Sequence, residues 1–251
     1  NELVVFTDPK SPITEAFKAC RTNIMFANST KKSSVILITS ASPHDGKSFV
    51  SSNLALAYSQ SGKKVLLIDT DMRNGRLHEV FNLRKKLGLS GCLSKLSLGK
   101  SDININKYIK ETNYKNLHIM TAGINPSNPS ELLSSEATHF LLDTLKTKYD
   151  VVICDGTPCT LVSDSIILSK IVDYTILVAS CKNTKLDIVK KVKKSIEIAG
   201  GKINGAILNK EFVAKKKYKN KYYHNALPES TIITEEIILE HDETLDTPLY
   251  L

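Results

Sequence analysis

No apolar run in the sequence approaches the ~18 residues that a membrane-crossing helix needs, so no span is expected within it. It opens at Asn1 with neither a methionine nor a secretory leader, so a fragment and a stand-alone chain are both open readings. The five cysteines, Cys20, Cys92, Cys154, Cys159 and Cys181, are odd in number and form no CxxC pair. They read as reduced thiols of a cytosolic protein, not as a zinc site or a disulfide frame. Internal repeats and low-complexity tracts are absent from the first 212 residues. Lysine and arginine are absent from 224–251, which carries seven acids and leaves 34 basic against 19 acidic residues in 1–223. So basic a body needs an anionic counterpart: nucleic acid, acidic lipid, phosphate or its own tail. Charge alone does not choose among them.

What is present is a chain of 251 residues, 41% hydrophobic and 24% charged, sufficient for one large domain with a full core. Ser11-Pro12 has the form of a helix start, a capping hydroxyl followed by proline at the first helical position. Ile13, Ala16, Phe17, Cys20, Ile24 and Met25 then recur at nearly helical period, predicting a helix over 12–26. Val35–Ile38 and Val65–Ile68 are short continuous apolar runs, as strands buried on both faces are. A helical segment, 49–60, lies between them and stops at Ser61-Gly62, so the three form a βαβ unit and imply a parallel sheet. Strands are also predicted over 116–121, 151–154, 174–179 and 205–208, alternating with helices over 129–148, 166–171 and 186–199. The class is α/β, a three-layer domain on a mostly parallel sheet. The alternation ends near Phe212, which divides the chain into a domain of 1–212 and a tail of 213–251.

Ala41-Ser42-Pro43-His44-Asp45-Gly46-Lys47-Ser48 fits the looser phosphate-loop pattern, with alanine where the first glycine often stands. It follows a strand and opens a helix, so its backbone N–H groups and the helix N-terminus offer positive partial charge to phosphate. Gly46 lets the backbone approach, Lys47 reaches the β/γ-phosphates and the Ser48 hydroxyl is placed to ligate Mg²⁺. Asp69 and Asp71 end the strand after the loop helix, and Asp155 ends the strand 151–154. One aspartate past a strand end is an ordinary turn residue. Three at the ligand-binding edge of a parallel sheet, beside a phosphate loop, point to a Mg²⁺-nucleotide site. ATP hydrolysis as a switch and phosphoryl transfer to a protein hydroxyl use the same parts and stay open at this point.

Beyond the predicted domain, 215–223 interleaves Tyr218, Tyr222 and Tyr223 with five lysines. Tyrosine normally buries its ring, so this cluster has no evident packing role. It is either a basic surface segment for acidic lipid or RNA, or a set of phosphoacceptors whose added charge lysine compensates. Glu15, Lys18 and Arg21 fall three residues apart on the first helix, as a solvated stripe or as an interface pairing acids with bases between copies.

From about Ser11 to Tyr223 the sequence resembles the bacterial tyrosine kinases of capsule and exopolysaccharide synthesis. The most specific parts are the run from Ser11 to Ile24, Asp69-Thr-Asp-Met-Arg73, Asn128-Pro-Ser-Glu-Leu-Leu133 and the terminal tyrosines. The family's Walker A, A′ and B motifs match 41–48, 65–71 and 151–155. The resemblance implies a P-loop NTPase fold with a flexible tyrosine-bearing tail, ATP with Mg²⁺, and autophosphorylation of Tyr218, Tyr222 and Tyr223 in trans. It implies that Ser42 to Phe49 surround the nucleotide and that Lys47 holds phosphate. Ser48, Asp69 and Asp155 would serve the metal, and Asp69 or Asp71 would activate the tyrosine hydroxyl. Asn209-Lys210, after the last strand, matches a place where related ATPases contact the adenine.

Glu15, Lys18 and Arg21 match the family's Glu-x₂-Arg-x₂-Arg helix, which packs subunits into a ring. Here one lysine replaces arginine, a change that weakens planar bidentate pairing. The partners implied are further copies of the chain, a transmembrane polysaccharide co-polymerase that supplies an activating segment, and a protein-tyrosine phosphatase; nucleic acid is not expected. The place implied is the cytoplasm, at the inner face of the plasma membrane, reached through that partner or through a missing N-terminal region.

Two departures stand out. Gly156-Thr157-Pro158 follows Asp155 where the family has Thr-Pro-Pro, and Phe49 follows Ser48 where threonine is commoner. Two other readings compete with the kinase. Deviant-Walker ATPase switches of the partitioning type usually carry a second lysine five residues before the main one, and here that position is Ser42. The other is a catalytically weak nucleotide-binding scaffold, which the Gly156-Thr157 departure keeps open.

Overall fold

A computed structural model describes residues 2–27, 32–99, 103–181 and 183–210, together with the backbone of 249–250. Helices α1 (Val4–Thr7) and α2 (Pro12–Ala27) precede β1 (Ser34–Ser40), α3 (Lys47–Gln60) and β2 (Val65–Asp69). Next come α4 (Leu77–Val80), α5 (Leu89–Ser97), a 3₁₀ turn at Ile105–Tyr108, β3 (Lys110–Glu111) and β4 (Leu117–Met120). The chain continues through α6 (Pro129–Ser134), α7 (Glu136–Lys146), β5 (Val151–Pro158) and α8 (Asp164–Ser169). It closes with β6 (Tyr174–Ser180), α9 (Leu186–Ile198), β7 (Gly205–Asn209) and β8 (Leu249–Tyr250).

The strands make one sheet in the order β3-β4-β2-β5-β1-β6-β7-β8, parallel throughout except for the antiparallel β3–β4 pair. Every residue of β1, β2 and β5 is buried, which is why these strands read as unbroken apolar runs instead of alternating ones. Their side chains nonetheless alternate between two cores. Ile36, Ile38, Val65, Leu67 and Ile153 pack under α1, α2 and α3. Val35, Leu37, Leu66, Ile68 and Val152 pack on the opposite face with α5 to α8. The crossover from β1 leads to β2 on one side and that from β5 leads to β6 on the other. The carboxyl ends of β1 and β5 are therefore the switch point where such sheets bind ligands.

The helix predicted over 129–148 is two helices. Ser135 takes an extended backbone (φ −75°, ψ 157°), and the hydroxyls of Ser135 and Thr138 both donate to the Leu132 carbonyl at 2.7 Å. The stripe predicted for α2 holds at Phe17, Cys20 and Ile24, and Ser11 Oγ accepts the Thr14 N–H as a helix cap. It fails at Met25, which is exposed with Phe26. Short elements such as α4, β3 and the 3₁₀ turn escaped the periodicity because they span too few residues to show one. Among the described residues no helix is long and apolar enough to cross a membrane. The described body ends at Lys210, so the boundary at Phe212 and the tyrosines at 218, 222 and 223 lie outside it.

Strand β5 runs four residues further than predicted, and the extra length explains Gly156-Thr157. Its register with β1 shifts by one residue between Ile38↔Asp155 and Ser40↔Pro158, a β-bulge. A Cβ on Gly156 would overlap Ser165 Oγ and lie 2.9 Å from Leu37 Cδ1 and 3.1 Å from the Ile38 carbonyl. Thr157 is stitched in on both sides: its N–H donates to Ser165 Oγ at 2.7 Å, and its carbonyl accepts from Thr39 Oγ1 at 2.7 Å. Gly156→Ala therefore overpacks the joint between β1, β5 and α8. The expected cost is about 1–3 kcal/mol by urea denaturation, with the slope of the transition unchanged.

Candidate nucleotide site

The loop between β1 and α3 is shaped for phosphate by its backbone. His44 and Gly46 both stand at positive φ (64° and 99°). Gly46 precedes α3 with no side chain capping the helix, which leaves its first N–H groups directed out of the N-terminus. Asp45 is buried as the internal brace: Oδ2 accepts the Ser42 N–H at 2.8 Å and Oδ1 accepts from Thr184 Oγ1 at 2.8 Å. Pro43 and His44 are exposed at the tip. The Phe49 ring turns away, edge-on to Phe17 of α2 with centroids 5.8 Å apart, so the aromatic in place of threonine serves helix packing. Asn209 and Lys210, at the end of β7, reach back to the loop. Asn209 Nδ2 donates to the Asp45 carbonyl at 2.9 Å, and Lys210 Nζ to the His44 carbonyl at 2.6 Å.

Opposite the loop, the register of β2 on β5 sets Asp69 directly beside Asp155. Both are fully buried, and each keeps one oxygen, Oδ1, without a hydrogen-bond partner. Asp69 Oδ2 accepts the Leu77 N–H at 3.0 Å, and Gly75 passes so close that a Cβ there would lie 2.5 Å from Asp69 Oδ1. Thr70 locks the two strand ends together, its N–H and hydroxyl both donating to the Asp155 carbonyl at 3.0 and 2.8 Å. Asp71 is used differently. Its Oδ1 accepts the N–H groups of Asn74 and Arg73 at 2.8 and 3.2 Å, while Oδ2 lies 3.7 Å from Lys47 Nζ.

Burial dominates the electrostatics. Desolvation holds the Asp155 carboxyl up at about 6, against the pull of Lys47 and of the Ser48 and Ser51 hydroxyls. Asp69 is pushed well above the usual carboxylate range by its own burial and then by Asp155. Two unpartnered carboxylate oxygens on adjacent strand ends, with Ser48 against Asp155, suit a divalent cation. Asp69, Asp155 and Ser48 would hold Mg²⁺, which supplies charge neutralisation for the phosphates. Among the described residues no three His, Cys, Asp or Glu side chains converge into a metal cage. Of the three carboxylates expected to face the phosphates, Asp71 meets the backbone N–H groups of Asn74 and Arg73 through Oδ1 and Lys47 through Oδ2, while Asp69 and Asp155 each keep an oxygen without a hydrogen-bond partner.

Sequence reasoning assigned no role to a second cluster. Arg73 Nε and Nη2 donate to the two oxygens of buried Asp164 at 3.0 and 3.3 Å, and Ser130 Oγ donates to Asp164 Oδ1 at 2.6 Å. The Arg73 carbonyl accepts from Asn125 Nδ2 at 2.9 Å. The segment carrying Asp71 is thereby tied to α6 and α8. The signals were that Thr70, Arg73 and Ser130 fall in runs quoted for the family and that Lys210 follows Asn209 at the place matched to an adenine contact; nothing marked Asp164 or Thr184. On α2, Lys18 pairs with Glu15 at 2.7 Å on the exposed face. Arg21 instead turns inward, Nη1 donating to the Ala57 carbonyl of α3 at 3.0 Å, so the three do not form a single free stripe.

A family described as an AAA domain matches residues 33–209. The tyrosine-protein kinase YwqD of Bacillus subtilis is 37% identical over 213 residues, covering 85% of this chain and 87% of that protein. Among solved structures, the kinase domain of the Escherichia coli tyrosine kinase ETK superposes with a TM-score of 0.77 at 34% identity, covering 89% of this chain and 84% of that one. The chimerical protein CapA2B2 gives 0.76 at 40% identity, covering 84% and 90%. The septum site-determining protein MinD of Pyrococcus horikoshii, complexed with Mg-ADP, is more distant: TM-score 0.57 and 26% identity over 70% of each chain.

Two outcomes follow from the carboxylates. Arg73→Ala leaves the buried Asp164 charge with Ser130 alone, and a loss of about 2–4 kcal/mol is expected in urea denaturation. A carboxyl whose folded-state pKa lies above its unfolded value stabilises the protein at low pH and loses that contribution as pH rises. Without divalent cation, Asp155 therefore contributes stability below about pH 4 that is gone above about pH 6. Mg²⁺ binds the ionised form, so the rise in Tm on replacing EDTA by Mg²⁺ is larger near pH 7.5 than near pH 5. Asp155→Asn flattens that difference.

Proposed function

The chain belongs to the bacterial tyrosine-protein kinases of this AAA-domain family, and from that premise we propose that it phosphorylates its own C-terminal tyrosines within capsule or exopolysaccharide synthesis. It is a P-loop nucleotide-binding enzyme transferring phosphate from ATP to tyrosine. One observation carries the choice of acceptor. Of the nine tyrosines, Tyr58, Tyr108 and Tyr149 are buried, while Tyr114 and Tyr174 sit half-buried at the starts of β4 and β6. Those starts are at the edge of the sheet opposite the nucleotide loop. A hydroxyl for the site must then come from the tyrosines at 218, 222, 223 or 250, or from another protein.

The roles divide along the geometry. Lys47 and the loop amides bind the triphosphate, and Ser48, Asp69 and Asp155 serve the cation. Asp71 is the proton acceptor: its Oδ2 faces Lys47, and once Lys47 turns to the phosphates that oxygen is left without its partner. The tyrosine Oη attacks the γ-phosphorus, the bond from that phosphorus to the β,γ-bridging oxygen breaks, and ADP leaves while the phenolic proton passes to Asp71. The acceptor reaches the site from a neighbouring copy in a ring built on α2, where Glu15 and Lys18 are exposed enough to exchange their mutual pair for an intermolecular one. A transmembrane partner brings the kinase to the membrane and supplies an activating segment, as the pairing of names in the CapA2B2 chimera suggests. A protein-tyrosine phosphatase resets the tail.

Incubation with Mg²⁺-ATP followed by phosphopeptide mapping tests this reading. Phosphate is expected on Tyr218, Tyr222 or Tyr223, with higher yield when the partner's cytoplasmic segment is added. Lys47→Met is expected to lower the yield by at least about a hundredfold. Phosphate release without phosphotyrosine, with the segment present, would instead identify a hydrolytic switch.

A further inference from the structure

We propose that Asn209, together with Lys210 and Thr184, is a clamp that presets the phosphate loop, and that its contribution to nucleotide binding does not pass through the adenine. The starting observation is which loop atoms the clamp grips. Asn209 Nδ2 holds the Asp45 carbonyl and Lys210 Nζ holds the His44 carbonyl, at 2.9 and 2.6 Å. In a planar trans peptide the carbonyl of one residue points opposite to the N–H of the next. Fixing the His44 carbonyl toward β7 therefore aims the Asp45 N–H away from β7, and fixing the Asp45 carbonyl does the same for the Gly46 N–H. A phosphate cradle requires N–H groups turned inward in that manner before the ligand arrives.

The clamp is itself held. Thr184 Oγ1 accepts the Ser180 N–H at 2.8 Å and passes its own hydrogen to Asp45 Oδ1 at 2.8 Å. The Asn209 carbonyl accepts the Cys181 N–H at 2.7 Å, joining the ends of β6 and β7. Two strand ends thus brace one loop from the side away from Asp69 and Asp155. Gly46 fits the same scheme: besides its positive φ, a Cβ there would fall on the Asn209 amide. His44 stands at φ 64°, a backbone state unfavourable for a side chain, and the Lys210 bond to its carbonyl offsets that cost. Asn209 and Lys210 are positioning residues here, acting on phosphate through the backbone of His44, Asp45 and Gly46.

The proposal rests on the nucleotide-site reading but not on the identity of the phosphoryl acceptor, so its first readout is taken without nucleotide and none of its readouts needs tyrosine chemistry. Amide hydrogen exchange of 42–48 is measured in the full ligand-free chain for wild type, Asn209→Leu, Lys210→Met and Lys210→Arg. Loss of one such hydrogen bond is expected to speed exchange in this segment by roughly five- to tenfold in the first two variants, with the rest of the sheet unchanged. Lys210→Arg, which keeps a donor, stays near wild type. Mg²⁺-ATP affinity should fall by a similar factor in Asn209→Leu and Lys210→Met. Wild-type exchange over 42–48 in Lys210→Met overturns the clamp, and so does wild-type exchange in Asn209→Leu alongside weakened ATP binding, which is the signature of a base contact. Should Asn209→Leu unfold, the exposed Lys210 side chain still decides the matter.

Discussion

The register that sets Asp69 beside Asp155 constrains everything around the site. Neighbouring strands lie about 4.8 Å apart, so two carboxylates in register at the end of a buried sheet cannot separate without breaking the ladder. Each is desolvated and each keeps an oxygen with no protein partner. Among the described residues one ammonium lies close, Lys47, and it faces Asp71. Without a cation the pair is driven toward protonation; with one, the same burial strengthens every interaction with the bound charge. The sheet therefore sets two uncompensated carboxylates at the same edge as the phosphate loop, negative side chains facing positive backbone amides.

The opposite wall is built on a different principle. There the loop is held by neutral donors and one lysine acting on backbone carbonyls, and the acidic side chain in it, Asp45, is spent wholly on Ser42 and Thr184. The cation side of the site thus consists of uncompensated side-chain charge, while the anion side consists of backbone amides with their directions set. The Arg73–Asp164–Ser130 cluster separates the two tasks. It fastens the segment carrying Asp71 to α6 and α8, so that segment can face Lys47 without leaning on the phosphate loop.

Much of this was legible in the sequence because burial on both faces leaves an unmistakable trace. Val35–Ile38, Val65–Ile68 and 151–154 could only be interior strands, and a loop ending in Gly46-Lys47-Ser48 between two of them fixed the edge at which ligands bind. What stayed hidden depended on contacts between residues far apart in the chain. No local pattern marks Asp164 as the partner of Arg73, or Thr184 as the brace of Asp45. The departure at Gly156-Thr157 falls on a β-bulge, and bulges have no signal in a period-two pattern. The stripe on α2 misled in another way. Three-residue spacing places Glu15, Lys18 and Arg21 near one another, yet helical drift carries Arg21 far enough round to reach Ala57 of α3.

Net charge illustrates why composition could not name the ligand. The residues before 224 carry a surplus of fifteen positive charges, which on its face favours an anion-binding surface. The site itself reverses that sign: among the described residues, Asp69, Asp71 and Asp155 surround a single lysine, Lys47. The lysines lie elsewhere, as at Lys190, Lys191 and Lys194 on the exposed face of α9. A triphosphate entering an acidic pocket would be repelled at contact distance, whatever long-range attraction the body supplies. The loop amides, which are neutral dipoles, are the groups suited to bind it closely. The contrast between the two walls of one crevice is a property of position that no sum over the sequence contains.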